Sequence, residues 1–130
     1  MPYIPLWAFQ QPEINTFDID GVIYFGEGIP GVFPSSSDVL VTGRSFEEKE
    51  KTMQMLESRG IRNRVVFSKI PLALRTREIS GYHKALTLLE LSKDFKVNIH
   101  FEDDPIQKAI IEAMCPEVNV VHLVHELTEK

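Results

Sequence analysis

Apolar runs that end abruptly at polar residues constrain this chain more than any other feature. Ile14 to Asp18, Asp38 to Thr42, Arg64 to Ser68, Val97 to Phe101 and Val118 to Val124 each read as a short strand, because apolar and β-branched residues bounded by polar punctuation suit an extended, buried segment. Helical patterns lie between them. Ser45 predicts an N-cap, with Glu47, Glu48 and Glu50 in the first turns, and the helix runs to about Arg59 before Gly60 stops it. Tyr82 to Leu91 carries Ala85, Leu88 and Leu89 at helical spacing, and Pro105 suits the first position of a helix that continues to about Cys115.

Strands alternating with helices predict an α/β fold: a doubly wound, Rossmann-like, mostly parallel sheet of five strands in three layers. Residues 1–130 fit one domain, with 43% hydrophobic and 25% charged residues supplying a core and a solvated surface. Gly21 to Pro34, with Gly26, Gly28, Pro30 and Gly31, predicts a short hairpin flap over the site. The apolar start, Met1 to Phe9, lacks a basic opening and holds two prolines, so it reads as an arm packed on the domain rather than a signal or a membrane span. Residues 69–80, with Arg75-Thr76-Arg77, read equally as helix, loop or lid. A net charge of -5 argues against a broad basic surface coating nucleic acid, although Arg59, Arg62, Arg64, Lys69, Arg75 and Arg77 leave room for a local basic groove. A single cysteine, Cys115, has no partner for an internal disulfide. The expected location is therefore the cytoplasm.

In a doubly wound sheet, ligands bind beyond the carboxyl ends of the strands. Three of the five expected strands deliver reactive side chains there: Asp18 and Asp20, Thr42, and Asp103. Asp18 and Asp20 lie two residues apart, on one side if the chain stays extended, and Gly21 allows a sharp turn away. Two carboxylates so spaced could share a divalent cation and divide the work of nucleophile and general acid/base. Alone, the pentapeptide Phe17-Asp18-Ile19-Asp20-Gly21 reads equally as a strand ending in an Asp turn.

Asp-x-Asp-Gly after an apolar run resembles the first motif of the haloacid dehalogenase superfamily, and three further segments follow in that superfamily's order. Val39-Leu40-Val41-Thr42-Gly43-Arg44 is similar to the second motif, Lys84 in Gly81-Tyr82-His83-Lys84 to the third, and Ile99 to Pro105, with Glu102-Asp103-Asp104, to the fourth. The resemblance spans roughly residues 14 to 125. It implies a magnesium-dependent phosphatase in which Asp18 attacks phosphorus to form an aspartyl-phosphate and Asp20 protonates the leaving oxygen and then activates water. Thr42 would donate a hydrogen bond to a phosphoryl oxygen, and Lys84 would hold Asp18 and the phosphate. Mg²⁺ would be ligated by Asp18, the backbone carbonyl of Asp20 and one of the consecutive Glu102, Asp103 and Asp104, with Asp103 the favoured register. Glu102 or Asp104 would orient Lys84 or a metal-bound water, with a helix N-terminal charge as the alternative for one of them. Lys84 also reads as a solvated surface lysine.

Cap domains usually set substrate choice in that superfamily. Here about twenty residues separate Asp20 from Thr42 and about forty separate Thr42 from Lys84, which leaves no room for a cap. An open, capless site implies a large phosphorylated substrate, such as a nucleotide or nucleic-acid end, or a second copy of the chain covering the site. Thr42, Gly43 and Arg44 are the expected substrate contacts, with pairing of Arg44 to Glu47 or Glu48 as the alternative. A non-catalytic metal- or phosphate-binding module is the competing class, and a phospho-receiver domain is weighed against by Asp20, the acid/base a receiver lacks. His122 and His125, three apart on one expected strand, should face opposite sides, and His100 stands alone. Zinc is therefore not expected, and all four histidines, His83 included, read as ordinary buried or surface residues.

Overall fold

The computed structural model describes residues 11–125. The expected N-terminal arm and the last residues of the C-terminal tail lie outside them. Five strands, β1 (Glu13–Phe17), β2 (Val39–Ser45), β3 (Val65–Ser68), β4 (Lys96–Glu102) and β5 (Asn119–His122), form one sheet in the order β3-β2-β1-β4-β5. Every pairing is parallel. Helices α1 (Lys49–Ser58), α2 (Arg77–Leu91) and α3 (Pro105–Met114) connect the strands. The fold is thus the expected α/β Rossmann-like one, with the sheet parallel throughout. No helix among the described residues is long and apolar enough to cross a membrane.

Each face of the sheet buries its own apolar cluster, and alternation along β2 divides its side chains between them. Val39 and Val41 join Ile14, Ala85, Leu88, Val97 and Ile111 beneath α2 and α3. Leu40 joins Phe17, Ile19, Val22, Ile23, Leu56 and Ile61 beneath α1. Gly81 lets α2 and α3 approach closely, since a Cβ there would sit 2.9 Å from Ile110 Cδ1 and 3.3 Å from Gln107 Cα.

Four details differ from expectation. The segment after Asp20 is a run of turns with one isolated bridge, Asp20 to Tyr24, rather than a hairpin flap. Val22 and Ile23 anchor it in the core, and the Arg59 guanidinium donates to the carbonyls of Ile23, Gly26 and Ile29. Next, α2 begins at Arg77 rather than Tyr82, because Thr76 caps it by accepting the Ile79 amide. Lys84 therefore sits in mid-helix. Residues 69–76 are a short 3-10 turn (Leu72–Leu74) and its flanks, latched to the start of α1 where the Leu72 amide donates to Glu47 and Arg75 pairs with Glu48. Last, β5 ends at His122, opposite Glu102, where β4 itself runs out. His122 and His125 are consequently not two positions of one strand.

Candidate active site

The carboxyl ends of β1, β2 and β4 meet the first turns of α2 around an open cavity of about 520 Å³. Asp18, Asp20, Gly43, Arg44, Lys84 and Asp103 line it, together with Arg75, Arg77 and Asp104 on the far wall. No aromatic or aliphatic side chain lines it among the described residues. Of the sequence-predicted residues, Glu102 and Thr42 are absent from the wall: Glu102 is fully buried behind Lys84, and so is Thr42 in β2. The Thr42 hydroxyl accepts the Arg44 amide at 3.0 Å.

A bulge in β4 decides which side chains reach this edge. Ile14 pairs with Val97, yet Thr16 pairs with His100, so β4 spends one extra residue between them. The slip reverses the alternation beyond Val97. His100 and Glu102 are thereby fully buried beside Thr16, with Glu102 against the α2 lysine, while Phe101 turns to the other face and stacks on Phe17.

The inner half of the site is buried and paired. Lys84 Nζ lies 3.1 Å from Asp18 Oδ2 and 2.8 Å from Glu102 Oε1, and it also donates to Gln107 Oε1. An ammonium has three donors, and all three are used. Glu102 Oε1 also meets His100 Nε2 at 3.1 Å, and its Oε2 accepts the amides of Asp103 and Asp104. Burial opposes ionisation of Glu102, but Lys84 and the hydrogen bond to His100 outweigh it and hold its carboxyl well below the usual carboxylate range. Burial likewise opposes the Lys84 ammonium, and Asp18 and Glu102 more than offset this, raising Lys84 above its ordinary value. Asp18 goes the other way: burial first, then the Glu102 charge, raise its carboxyl well above the usual range against the pull of Lys84. Burial lowers His100.

The outer half is wetter. The Asp20 side chain is 48% exposed, against 7% for Asp18. Arg44 grips both Asp20 oxygens, at 2.6 and 2.9 Å, and donates to Thr52 Oγ1 at 3.1 Å. Its expected alternative partner, Glu48, instead closes a capping box on Ser45. The Tyr24 ring lies 5.4 Å from the Arg44 guanidinium and 5.0 Å from that of Arg59. Asp104 accepts the Ile106 amide at the start of α3 and receives both arms of Arg77, at 2.8 and 2.9 Å. Of the six-residue cationic cluster, only Arg75 and Arg77 reach the cavity.

Ligand oxygens of Asp18, Glu102 and Asp103 all lie within 4.8 Å of one another, so this buried acidic group could hold a metal ion. Asp103 is packed tightly against the Asp18-x-Asp20 loop. Gly21, at φ +80°, would put a Cβ 1.9 Å from Asp103 Oδ2, so glycine is required there on both counts. The Asp20 carboxylate, occupied by Arg44, stands outside that group. Sequence reasoning missed two contacts to Asp103: His122 Nε2 lies 3.0 Å from its backbone carbonyl and His125 Nε2 3.4 Å from Oδ2. Only the end of β5 brings both histidines round to it.

No family model matches this chain, and no curated protein does. Solved structures do. A chain of the Pnkp1/Rnl/Hen1 complex superposes with a TM-score of 0.68 at 14% identity, covering 92% of this chain and 48% of its own length. A chain of the Pnkp1/Rnl/Hen1 RNA repair complex gives 0.68 and 14%, covering 88% of this chain and 43% of that one. At such identity the likeness shows the fold alone. The present chain spans less than half the length of the chains it matches.

Proposed function

We propose that this chain is a metal-dependent phosphohydrolase of the haloacid dehalogenase type, acting on a phosphate at a nucleic-acid end. One observation carries the reading: a buried lysine pinned 3.1 Å from the Asp18 carboxylate, at a strand-end cavity that also holds Asp20 and Asp103. An anionic nucleophile and an anionic phosphate repel, and a fixed ammonium between them lowers that barrier.

Asp18 is the nucleophile. Its Oδ attacks phosphorus, and the phosphoryl group passes to Asp18 as the leaving oxygen departs. Asp20 supplies the leaving oxygen with a proton and then takes one from the water that cleaves the aspartyl-phosphate. Lys84 keeps Asp18 aimed and meets a phosphoryl oxygen. The Gly43 backbone supports the phosphate from β2, and Thr42, buried behind the wall, accepts the Arg44 amide and so positions Arg44 rather than touching the phosphate. Asp18, Asp103 and the Asp20 backbone carbonyl would hold the cation, and an all-oxygen set of this kind fits Mg²⁺. Glu102 serves elsewhere, because its four lone-pair sites already accept His100, Lys84 and two amides. When bound, Mg²⁺ would offset phosphoryl charge and favour the ionised form of Asp18.

The substrate class rests on the cavity wall and on the neighbours. Arg44, Arg75 and Arg77 present guanidinium groups, which match phosphate, and no aromatic or aliphatic side chain among the lining residues is offered to a base. The similar fold occurs in an RNA repair complex. A second reading, a non-catalytic phosphate- or metal-binding module, is favoured by one observation: Arg44 holds both oxygens of the proposed acid/base, Asp20.

Hydrolysis of an aryl phosphate and of 3′- and 5′-phosphorylated oligonucleotides, with and without Mg²⁺, tests the proposal. Wild type should turn over only with Mg²⁺, and Asp18→Asn should be inactive. A folded wild type inert on every phosphate would favour the binding module.

A further inference from the structure

Beyond the groups that touch substrate lies a buried polar chain that the mechanism leaves unused. It starts at Thr16 on β1, crosses to His100 on β4, continues to Glu102 and ends at Lys84 on α2. Thr16 and His100 are fully buried, and Thr16 Oγ1 lies 2.7 Å from His100 Nδ1. The donors and acceptors along it can be assigned. Ionised Glu102 can only accept, so His100 Nε2 must carry the proton toward it. Nδ1 is then an acceptor, and the Thr16 hydroxyl is the donor beside it.

We propose that His100 is a positioning residue: held by Thr16, it fixes the Glu102 carboxylate, which in turn fixes the Lys84 ammonium against Asp18. Three separate features converge on this role. The bulge in β4 exists at the one place that turns His100 and Glu102 to the Lys84 face. Glu102 Oε1 is shared between His100 and Lys84, so losing the imidazole donor leaves Lys84 as the one remaining hydrogen-bond partner of that oxygen among the described residues and lets the Lys84 ammonium shift with it. A neutral core imidazole with no such task would be replaceable by an apolar residue, whereas here both ring nitrogens are engaged. The arrangement matches the general pattern in which an outer partner orients the group that meets the substrate.

This inference rests on the phosphohydrolase reading for its effect on turnover, but its structural core can be read without turnover. In His100→Leu, kcat should fall roughly 10- to 100-fold with KM little changed. Thr16→Val should fall about threefold in the same direction. His100→Gln, whose amide can still donate to Glu102, should recover most of the loss. In parallel, ¹⁵N-lysine NMR should show the Lys84 ammonium as a slowly exchanging signal in wild type and His100→Gln, and as a broadened or absent one in His100→Leu and Thr16→Val. A purely structural role predicts a lower Tm with unchanged kcat and an unchanged Lys84 signal below the transition, and that result overturns the proposal. Should His100→Leu fail to fold, Thr16→Val and His100→Gln decide: wild-type kcat and Lys84 signal in Thr16→Val also overturn it. A Lys84 signal that responds as expected in a protein lacking all phosphatase activity would support the chain and sink the phosphohydrolase reading instead.

Discussion

The two aspartates of the Asp18-x-Asp20 loop sit two residues apart, yet each is matched with a different kind of cation. Asp18 meets Lys84, a buried ammonium whose every proton is engaged by an element of the core. Asp20 meets Arg44, through a bidentate grip at a half-exposed rim. The first pair is set when the chain folds, since both side chains are buried and the Ile19 amide holds the second oxygen of Asp18. The second can exchange, because a guanidinium that holds a carboxylate can hold a phosphate in the same planar fork. The contrast suggests a division of labour: the inner pair holds the reacting groups, and the outer pair is open to substrate.

Breaking the inner pair should have the largest effect. Lys84→Met leaves the buried carboxyls of Asp18 and Glu102 without their shared counter-ion, and roughly 3–5 kcal/mol of stability should be lost, measured by urea unfolding. Any folded fraction should lose roughly 10²- to 10³-fold in kcat. A variant as stable as wild type would mean that the ion triad contributes nothing net, and the contrast with Arg44 would fail. Next comes the cation site. Mg²⁺ should raise the Tm of wild type in a concentration-dependent way, as any ligand of the native state does. Asp103→Asn should weaken that response at least about tenfold in apparent affinity. An undiminished Mg²⁺ response would move the metal away from Asp103.

The outer pair should behave differently. Arg44→Gln should cost about 1 kcal/mol of stability or less, as rim ion pairs do. For a phosphorylated oligonucleotide its KM should rise about tenfold, the loss of one charged hydrogen-bonding group. If instead kcat rises while KM holds, Arg44 restrains Asp20 rather than contacting phosphate, and the exchange picture is wrong.

How much of this was legible in the chain follows from which interactions are local. Strands and helices obeyed apolar spacing, and Asp18, Asp20, Gly43, Arg44 and Asp103 share one cavity as their strand-end positions implied, with Lys84 reaching it from the middle of α2. The start of α2 was missed because residues 69–80 read equally as helix, loop or lid, and the apolar spacing that marks the helix begins only after the Thr76 cap and the first turn. His100 looked isolated because simple alternation counts Val97, Ile99 and Phe101 onto one face. The bulge that reverses this is visible only in the pairing with β1. The expected flap failed for a similar reason: the glycines and prolines signal turns, but nothing local shows that Arg59, far along the chain, will bind the carbonyls of Ile23, Gly26 and Ile29 in that segment. His122 and His125 were separated by an assumed strand that ends earlier, because β4 offers no further partner.

The smallest expected effect concerns the far wall of the cavity, where Asp104 is matched with Arg77. Asp104 is partly a helix cap, so Asp104→Ala should cost about 1 kcal/mol through the Ile106 amide alone. Asp104→Asn separates cap from charge, since asparagine caps equally well and cannot ionise. Burial works against the Asp104 carboxylate, but the Arg77 hydrogen bonds and the amides of Ile106 and Gln107 prevail and depress its folded pKa. A carboxyl so depressed adds stability that is fully present above the unfolded value of about 3.9. That stability drains away as pH falls through the lower folded value. Wild type should therefore exceed Asp104→Asn by a constant margin from neutral pH down to about pH 5, and the margin should shrink as pH falls further. Urea unfolding of both proteins along that range reads it directly. Parallel acid limbs would show that Arg77 leaves Asp104 unperturbed, and the outer wall would then hold its arginine free for phosphate.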